Sequence, residues 1–220
     1  MSLQGYDVWR REDMDKYEHV VKGRTAHIGI ANGRPGSVAK CLQMDSELVW
    51  LAPFIHKLEP RTIVEIGIYK GGWQYVLCPW FADGAHIIGI DAMIRHRQDD
   101  GADQLDSMVH LLKSKGYRVD ILKGRSDSHD VHLALKALLA EHGGEYDLLH
   151  IDGAHDYGSA RYDWDTYGPC VREGGLTVLH DIGTQTSQMN VKRLWEEIKA
   201  EGVFVTHEIY EKNGIGVVEM

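Results

Sequence analysis

Thr62-Ile-Val-Glu-Ile-Gly-Ile-Tyr-Lys-Gly-Gly72 is the stretch that decides the fold. A short apolar, β-branched run ends in an acid and a glycine, and two more glycines follow after three residues. An apolar pattern from Trp73 to Phe81 comes next. That order predicts a buried parallel strand, a tight turn and a helix N-terminus. Gly67 allows the backbone to bend and a ligand to approach it without a Cβ in the way. Glu65, at the strand end, can accept hydrogen bonds from a ligand. The spacing is E-x-G-x-x-x-G rather than the G-x-G-x-x-G of dinucleotide sites, which points to a nucleoside ligand without a pyrophosphate.

Outward from this stretch, strands and helices alternate. Strands are predicted at Ala85 to Ile90, Tyr117 to Leu122, Tyr146 to Ile151 and Leu176 to Leu179. Two more are predicted at Val203 to Ile209 and Ile215 to Val218, joined through a tight turn at Asn213-Gly214. Helices are predicted at Leu42 to Leu58 (kinked or late-starting at Pro53), Gly72 to Phe81, Asp103 to Lys115, Val131 to Glu141, Tyr157 to Tyr167 and Val191 to Ala200. This is an α/β pattern: a doubly wound, mostly parallel seven-stranded sheet with an antiparallel edge strand. Gln4 to Val21 suits a short amphipathic helix that docks on the domain or on a second subunit, making a homodimer a reasonable state. Lys22 to Lys40, rich in Gly, Arg, Ala and Ser, reads as a loop, either a plain surface connection or a lid over the ligand.

Size and charge narrow the partners. The chain has 220 residues and a net charge of -9, which argues against a nucleic-acid backbone or an anionic membrane as the main partner. Its three cysteines are scattered with no C-x-x-C pair, so neither a disulfide framework nor a cysteine zinc site is indicated, and a reducing cytoplasm is the simplest compartment.

The first five predicted strands each end in polar groups: Glu65, Asp91, Ser126 with Asp127, Asp152, and His180 with Asp181. Ligands in such sheets lie beyond the carboxyl ends of the strands. A helix cap explains one acid but not five strand ends in a row. Asp91 follows the glycine turn at the offset that suits a ribose diol. Ser126 and Asp127 suit a base edge, or equally a simple turn. Asp152 and Asp181 end neighbouring strands, and two close carboxylates favour a cation between them. With oxygen ligands that cation is Mg²⁺, Mn²⁺ or Ca²⁺, and His180 beside them shifts preference toward Mn²⁺ or a later transition metal. His155, one short turn after Asp152, can take a proton from a hydroxyl. Of the thirteen histidines, most, including His56, His86, His110 and His142, read as surface or satisfied core positions.

With these residues placed, the chain resembles the class I S-adenosylmethionine-dependent methyltransferases of the metal-dependent O-methyltransferase type. Val64-Glu-Ile-Gly-Ile-Tyr-Lys-Gly71 is similar to the first motif of that group, which includes catechol O-methyltransferase. Leu149-His-Ile-Asp-Gly-Ala-His-Asp-Tyr157 and Gly174-Gly-Leu-Thr-Val-Leu-His-Asp181 resemble the motifs of antibiotic sugar O-methyltransferases and cephalosporin-hydroxylase-like proteins. The resemblance implies residues 1–41 as an N-terminal arm and 42–220 as an S-adenosylmethionine-binding methyltransferase domain. It implies Glu65, Gly67, Tyr69, Gly71, Asp91, Ser126, Asp127 and Asp152 around the cofactor. Asp152, His180 and Asp181 would hold the metal, and His155 would be the base. The implied acceptor is a hydroxylated small molecule: a sugar, a catechol or another secondary metabolite. Two other functions fit less well, a metal-dependent oxidoreductase and a cofactor-binding protein without catalysis.

Overall fold

The computed structural model describes Trp9 and residues 11–29, 43–94, 101–186 and 188–220. Its strands are β1 Thr62–Ile66, β2 His86–Asp91, β3 Arg118–Lys123, β4 Tyr146–Ile151, β5 Val171–His180, β6 Val205–Ile209 and β7 Ile215–Glu219. Its helices are α1 Arg11–Gly29, α2 Asp45–Leu58, α3 Gly72–Leu77, α4 Gly101–Ser114, α5 His129–Leu139, α6 Tyr157–Tyr167 and α7 Val191–Glu201. The strands form one sheet in the order β3-β2-β1-β4-β5-β7-β6. The first five are mutually parallel. β7 pairs antiparallel with both β5 and β6, so the antiparallel pairing lies at that end of the sheet.

All five residues of β1 are buried, as expected of a central parallel strand covered on both faces. One face packs on α1 to α4, with Trp50, Leu77, Ile87 and Met108 in its core. The other packs on α5 to α7, with Val64, Leu149, Leu179 and Trp195. Burial on both sides fixes the β1 register, because a one-residue slip would exchange its two faces.

Several segments differ from their sequence-based expectations: β5 starts five residues earlier than expected, at Val171, and three helices depart as follows. α3 stops at Leu77 and passes into a 3₁₀ turn, Cys78–Trp80, instead of running to Phe81. Pro79 has no N–H to give to the Tyr75 carbonyl, and the Nε–H of Arg24 on α1 donates to that carbonyl at 2.7 Å. α1 is thereby anchored past the point where a loop was expected, so Lys22–Gly29 is helical. Met14, Tyr17 and Val21 lie on its buried stripe, and Tyr17 Oη is 2.9 Å from His56 Nδ1 on α2. Of the two surfaces expected for this segment, it docks on its own domain. The remainder of the lid expectation, residues 30–42, lies outside the described residues. Third, α2 runs unbroken through Pro53. Its first turn is held by Glu47, whose Oε2 accepts from the Met44 N–H at 2.9 Å. Glu47 Oε1 accepts from the Gly214 N–H at 2.9 Å. That bond ties the β6–β7 connection to α2, and the connection spans residues 210–214, longer than the tight turn Asn213-Gly214 suggests.

Candidate active site

A cleft of about 750 Å³ opens at the carboxyl ends of the parallel strands, where β1 sends its neighbours to opposite sides. Ile66, Ile90, Ala92, Tyr162 and Met189 give it apolar walls. Gly67, Tyr69, Asp91, Ser126, Asp127, Asp152, His155, His180 and Asp181 also line it. The structure therefore brings together all the predicted site residues except Glu65 and Gly71.

Gly67 has φ +90°. Its N–H donates to the Ile90 carbonyl at 2.8 Å, and the Asp152 N–H donates to the Ile66 carbonyl at 2.9 Å. A Cβ on Gly67 would lie 2.1 Å from the Asp152 carbonyl oxygen and 2.8 Å from Gly153 Cα. The missing side chain makes room first of all for the backbone leaving β4, where the sequence suggested room for a ligand. Gly71 caps the start of α3 at φ 74° and sits against Met108 of α4 rather than the cleft.

Asp91 organises the loop above it. Its Oδ2 accepts from the Tyr69 N–H at 2.8 Å and its Oδ1 from the Met93 N–H at 2.6 Å. Tyr69 and Met93 have φ 48° and 59°, and Asp181 has φ 63°. Three non-glycine residues in the left-handed region, all around one cleft, is the clustering of backbone strain that accompanies binding sites. At Asp181 this has a direct consequence. Ile151 is level with Leu179 in the β4–β5 register, so Asp152 comes opposite His180. The left-handed turn brings the Asp181 carboxylate back beside them, its Oδ2 2.7 Å from His155 Nδ1 and 3.3 Å from His180 Nδ1.

The ligand atoms of Asp152, His155 and Asp181 all lie within 4.8 Å of one another and form a set that could hold a metal ion. Among the described residues Asp181 Oδ1 has no hydrogen-bond partner although it is buried, which fits a cationic occupant. His180, the expected third ligand, is placed differently. Its Nδ1 lies 3.3 Å from Asp152 Oδ1, and its Nε2 faces Glu47 Oε2 at 3.7 Å. Burial alone would lower its pKa, but the charge of Asp152 and the carboxylates of Asp181 and Glu47 push it up to about 12. It stands behind the cluster, its ring nitrogens facing the carboxylates of Asp152, Asp181 and Glu47. Burial would raise Asp181, yet His155 and His180 hold it well below the usual carboxylate range.

Glu65 points into the α1–α4 face. Its Oε1 is 2.9 Å from His150 Nδ1, and His150 stacks on Trp73 with ring centroids 4.2 Å apart. Burial, with the Asp152 and Asp91 charges, pushes Glu65 well above its ordinary value, while burial lowers His150 to about 4. The two form a neutral pair under the glycine turn. Strand alternation explains this: Glu65 follows Val64, and only alternate side chains share a face.

Four further residues shape the site without having been singled out in the sequence. Gln43 Nε2 donates to Asp152 Oδ2 at 2.6 Å. Glu47 backs His180, and its place three residues after Met44 was a weak capping-box signal. Tyr162 lines the cleft from α6. Asp163 is buried beneath Ser126, and burial pushes it up to about 6. Since its folded pKa lies above the ordinary 3.8, its charged form opposes folding, and stability falls as pH rises from about 4 to about 6. Asp163→Asn is expected to abolish that slope and to stabilise the protein at pH 8 by about 2–3 kcal/mol. Denaturant melts at pH 4 and pH 8 measure both; a variant with unchanged pH dependence would refute the assignment.

Known proteins share this fold. A family model described as "Methyltransferase domain" matches residues 64–182, more than half of the chain. The chain belongs to that methyltransferase family. Its fold is shared with an O-methyltransferase from Bacillus cereus solved with SAH (TM-score 0.59, 16% identity, covering 97% of this chain and 93% of that one). It is also shared with the O-methyltransferase TomG from Streptomyces achromogenes, involved in tomaymycin synthesis and solved with SAM (TM-score 0.61, 14% identity, covering 100% and 99%). A curated relative, the uncharacterized protein y4gI of Sinorhizobium fredii, is 25% identical over 166 residues. The match covers 71% of this chain and only 18% of that protein's length. No helix among the described residues is long and apolar enough to cross a membrane.

Proposed function

We propose that this methyltransferase moves the methyl group of S-adenosylmethionine onto a hydroxyl of a small molecule, a sugar, catechol or similar secondary metabolite, with help from a divalent ion. The observation that carries the reading is the Asp181–His155 contact of 2.7 Å at the edge of a nucleoside-sized cleft. An ionised carboxylate only accepts, so His155 donates its Nδ1–H to Asp181. This fixes the tautomer whose Nε2 takes a proton from an acceptor hydroxyl.

The donor half of the cleft suits a nucleoside. The Asp91 oxygens each accept one backbone N–H, and a carboxylate oxygen can accept more than one hydrogen bond, which suits the two hydroxyls of a ribose. Ser126 and Asp127, which line the same cleft, are assigned to the base edge. S-adenosylmethionine supplies a sulfonium methyl that is already a good electrophile. The chain's share is then mainly placement: the Gly67 to Gly71 turn and the Asp91 carboxylate hold the donor, and His155 aligns and deprotonates the acceptor. A divalent ion such as Mg²⁺ or Mn²⁺ would be held by Asp152 and Asp181 beside His155, and would lower the pKa of a bound hydroxyl. Gln43 and His180 keep those carboxylates in position.

Calorimetric titration of S-adenosylmethionine, followed by methyl-transfer assays on sugar and catechol panels with and without Mg²⁺ or Mn²⁺, tests the reading. Absence of donor binding would overturn it. Asp91→Ala is expected to weaken donor binding about 10–100-fold, the loss of charge-assisted hydrogen bonds to a diol. Asp152→Ala and Asp181→Ala are expected to remove metal-stimulated turnover while donor binding persists. Full wild-type activity in excess chelator would discard the ion and leave His155 as the base.

A further inference from the structure

At the opposite end of the strands from the cleft, four chemically matched side chains converge. His86 opens β2 and is 2% exposed. Its Nε2 lies 2.8 Å from Asp120 Oδ2 on β3, and its Nδ1 lies 2.9 Å from His142 Nε2. His142 ends the 3₁₀ extension of α5, Ala140–His142, beside Glu141, whose Oε1 is 3.9 Å from His142 Nε2. The ligand atoms of His86, Glu141 and His142 all fall within 4.8 Å of one another.

We propose that His86, His142 and Glu141 form a second divalent-ion site, suited to zinc or a similar borderline transition ion, that clips the end of α5 to β2. The site stands apart from the cleft and from the methyl-transfer reading. Asp120 is an acceptor, so a neutral His86 donates its Nε2–H there and presents the Nδ1 lone pair to His142. A carboxylate on the far ring nitrogen of a ligating histidine is the usual outer partner of a metal-bound imidazole. Two imidazoles with a carboxylate favour zinc over Mg²⁺, which prefers oxygen. Tetrahedral bonds of about 2.0–2.2 Å need ligand atoms roughly 3.3 Å apart. The His–His gap of 2.9 Å must therefore open slightly, and the Glu141 carboxylate must swing in. Glu141 is half exposed, with a side-chain exposure of 50%. Arg118 now pairs with both Glu141 and Asp120. Ion binding exchanges its contact with Glu141 for a metal bond and leaves its contact with Asp120.

Zn²⁺ titration by calorimetry in excess Mg²⁺ tests the site, with far-UV circular dichroism confirming the fold of each variant. The wild type is expected to show a saturable Zn²⁺ event that raises its melting temperature and persists in Asp152→Ala/Asp181→Ala. His142→Ala is expected to abolish that event, and Asp120→Asn to weaken it about 10–100-fold. If the cleft variant is unfolded, loss of one Zn²⁺ per chain in folded His142→Ala supports the site by itself. The proposal is overturned if wild type shows no such event, if the event vanishes in the folded cleft variant, or if His142→Ala retains it.

Discussion

His155→Ala is expected to lower kcat by roughly 10²–10⁴-fold with donor binding intact. The imidazole does not hold the fold together: its side chain is one-quarter exposed, at 25%. Its Nδ1 meets the buried Asp181 carboxylate at 2.7 Å. Removing the ring leaves Asp91, Gly67 and the β3 exit turn untouched, so calorimetry should report wild-type affinity for S-adenosylmethionine. The acidic limb of the kcat/KM pH profile should disappear together with the base, which separates a proton-transfer role from a positional one. An alanine variant with wild-type turnover would remove His155 from the chemistry and leave any acceptor activation to the ion. Asp181→Asn should reproduce part of the loss, because the amide can present its N–H to Nδ1 and allow the other tautomer.

Gly67→Ala is expected to cost about 2–5 kcal/mol of stability, and donor binding with it. Two penalties combine. A side chain at φ +90° is strained by about 1–2 kcal/mol. Its Cβ also meets the backbone of Asp152 and Gly153, and overpacking of this kind costs typically 1–3 kcal/mol. The obstacle is main chain and not the end of a flexible side chain, so relief requires β1 and β4 to move apart. Those strands carry Asp152 and the glycine turn, so the loss of stability and the loss of donor affinity arise from one displacement. Denaturant midpoints and titration calorimetry measure the two. A variant with an unchanged midpoint would show that the β1–β4 junction is looser than the structure makes it. Gly84→Ala is the control, since its φ is also positive, +70°, but nothing lies within 4 Å of its would-be Cβ.

Both predictions depend on contacts that residue types alone do not reveal. Gly67 was visible as a bend, because only glycine suits that backbone, but its neighbour was not. Glu65 and Asp91 looked alike at two strand ends. Alternation then sent Glu65 under the sheet to His150 and left Asp91 in the cleft. His155 and His180 both reach the carboxylate pair, His155 at Asp181 and His180 at Asp152 and Asp181. The left-handed turn at Asp181 decides where it meets them, and no local preference of an aspartate announces that turn. Pro79 was passed over in a helix expected to run to Phe81, and the Tyr75 carbonyl it leaves without an N–H is met by Arg24, 51 residues before Tyr75 in sequence.

The sequence by itself determined the order of strands and helices, the buried central strand and the row of polar strand ends. Those follow from periodicity and from backbone limits on glycine and proline, which act within a few residues. Only the tertiary structure decided that Asp152, His155 and Asp181 converge while His180 and Glu65 stand behind, and that His86 meets His142 at the far edge. These depend on strand register and on side chains meeting across the sheet, where residues distant in the chain become neighbours.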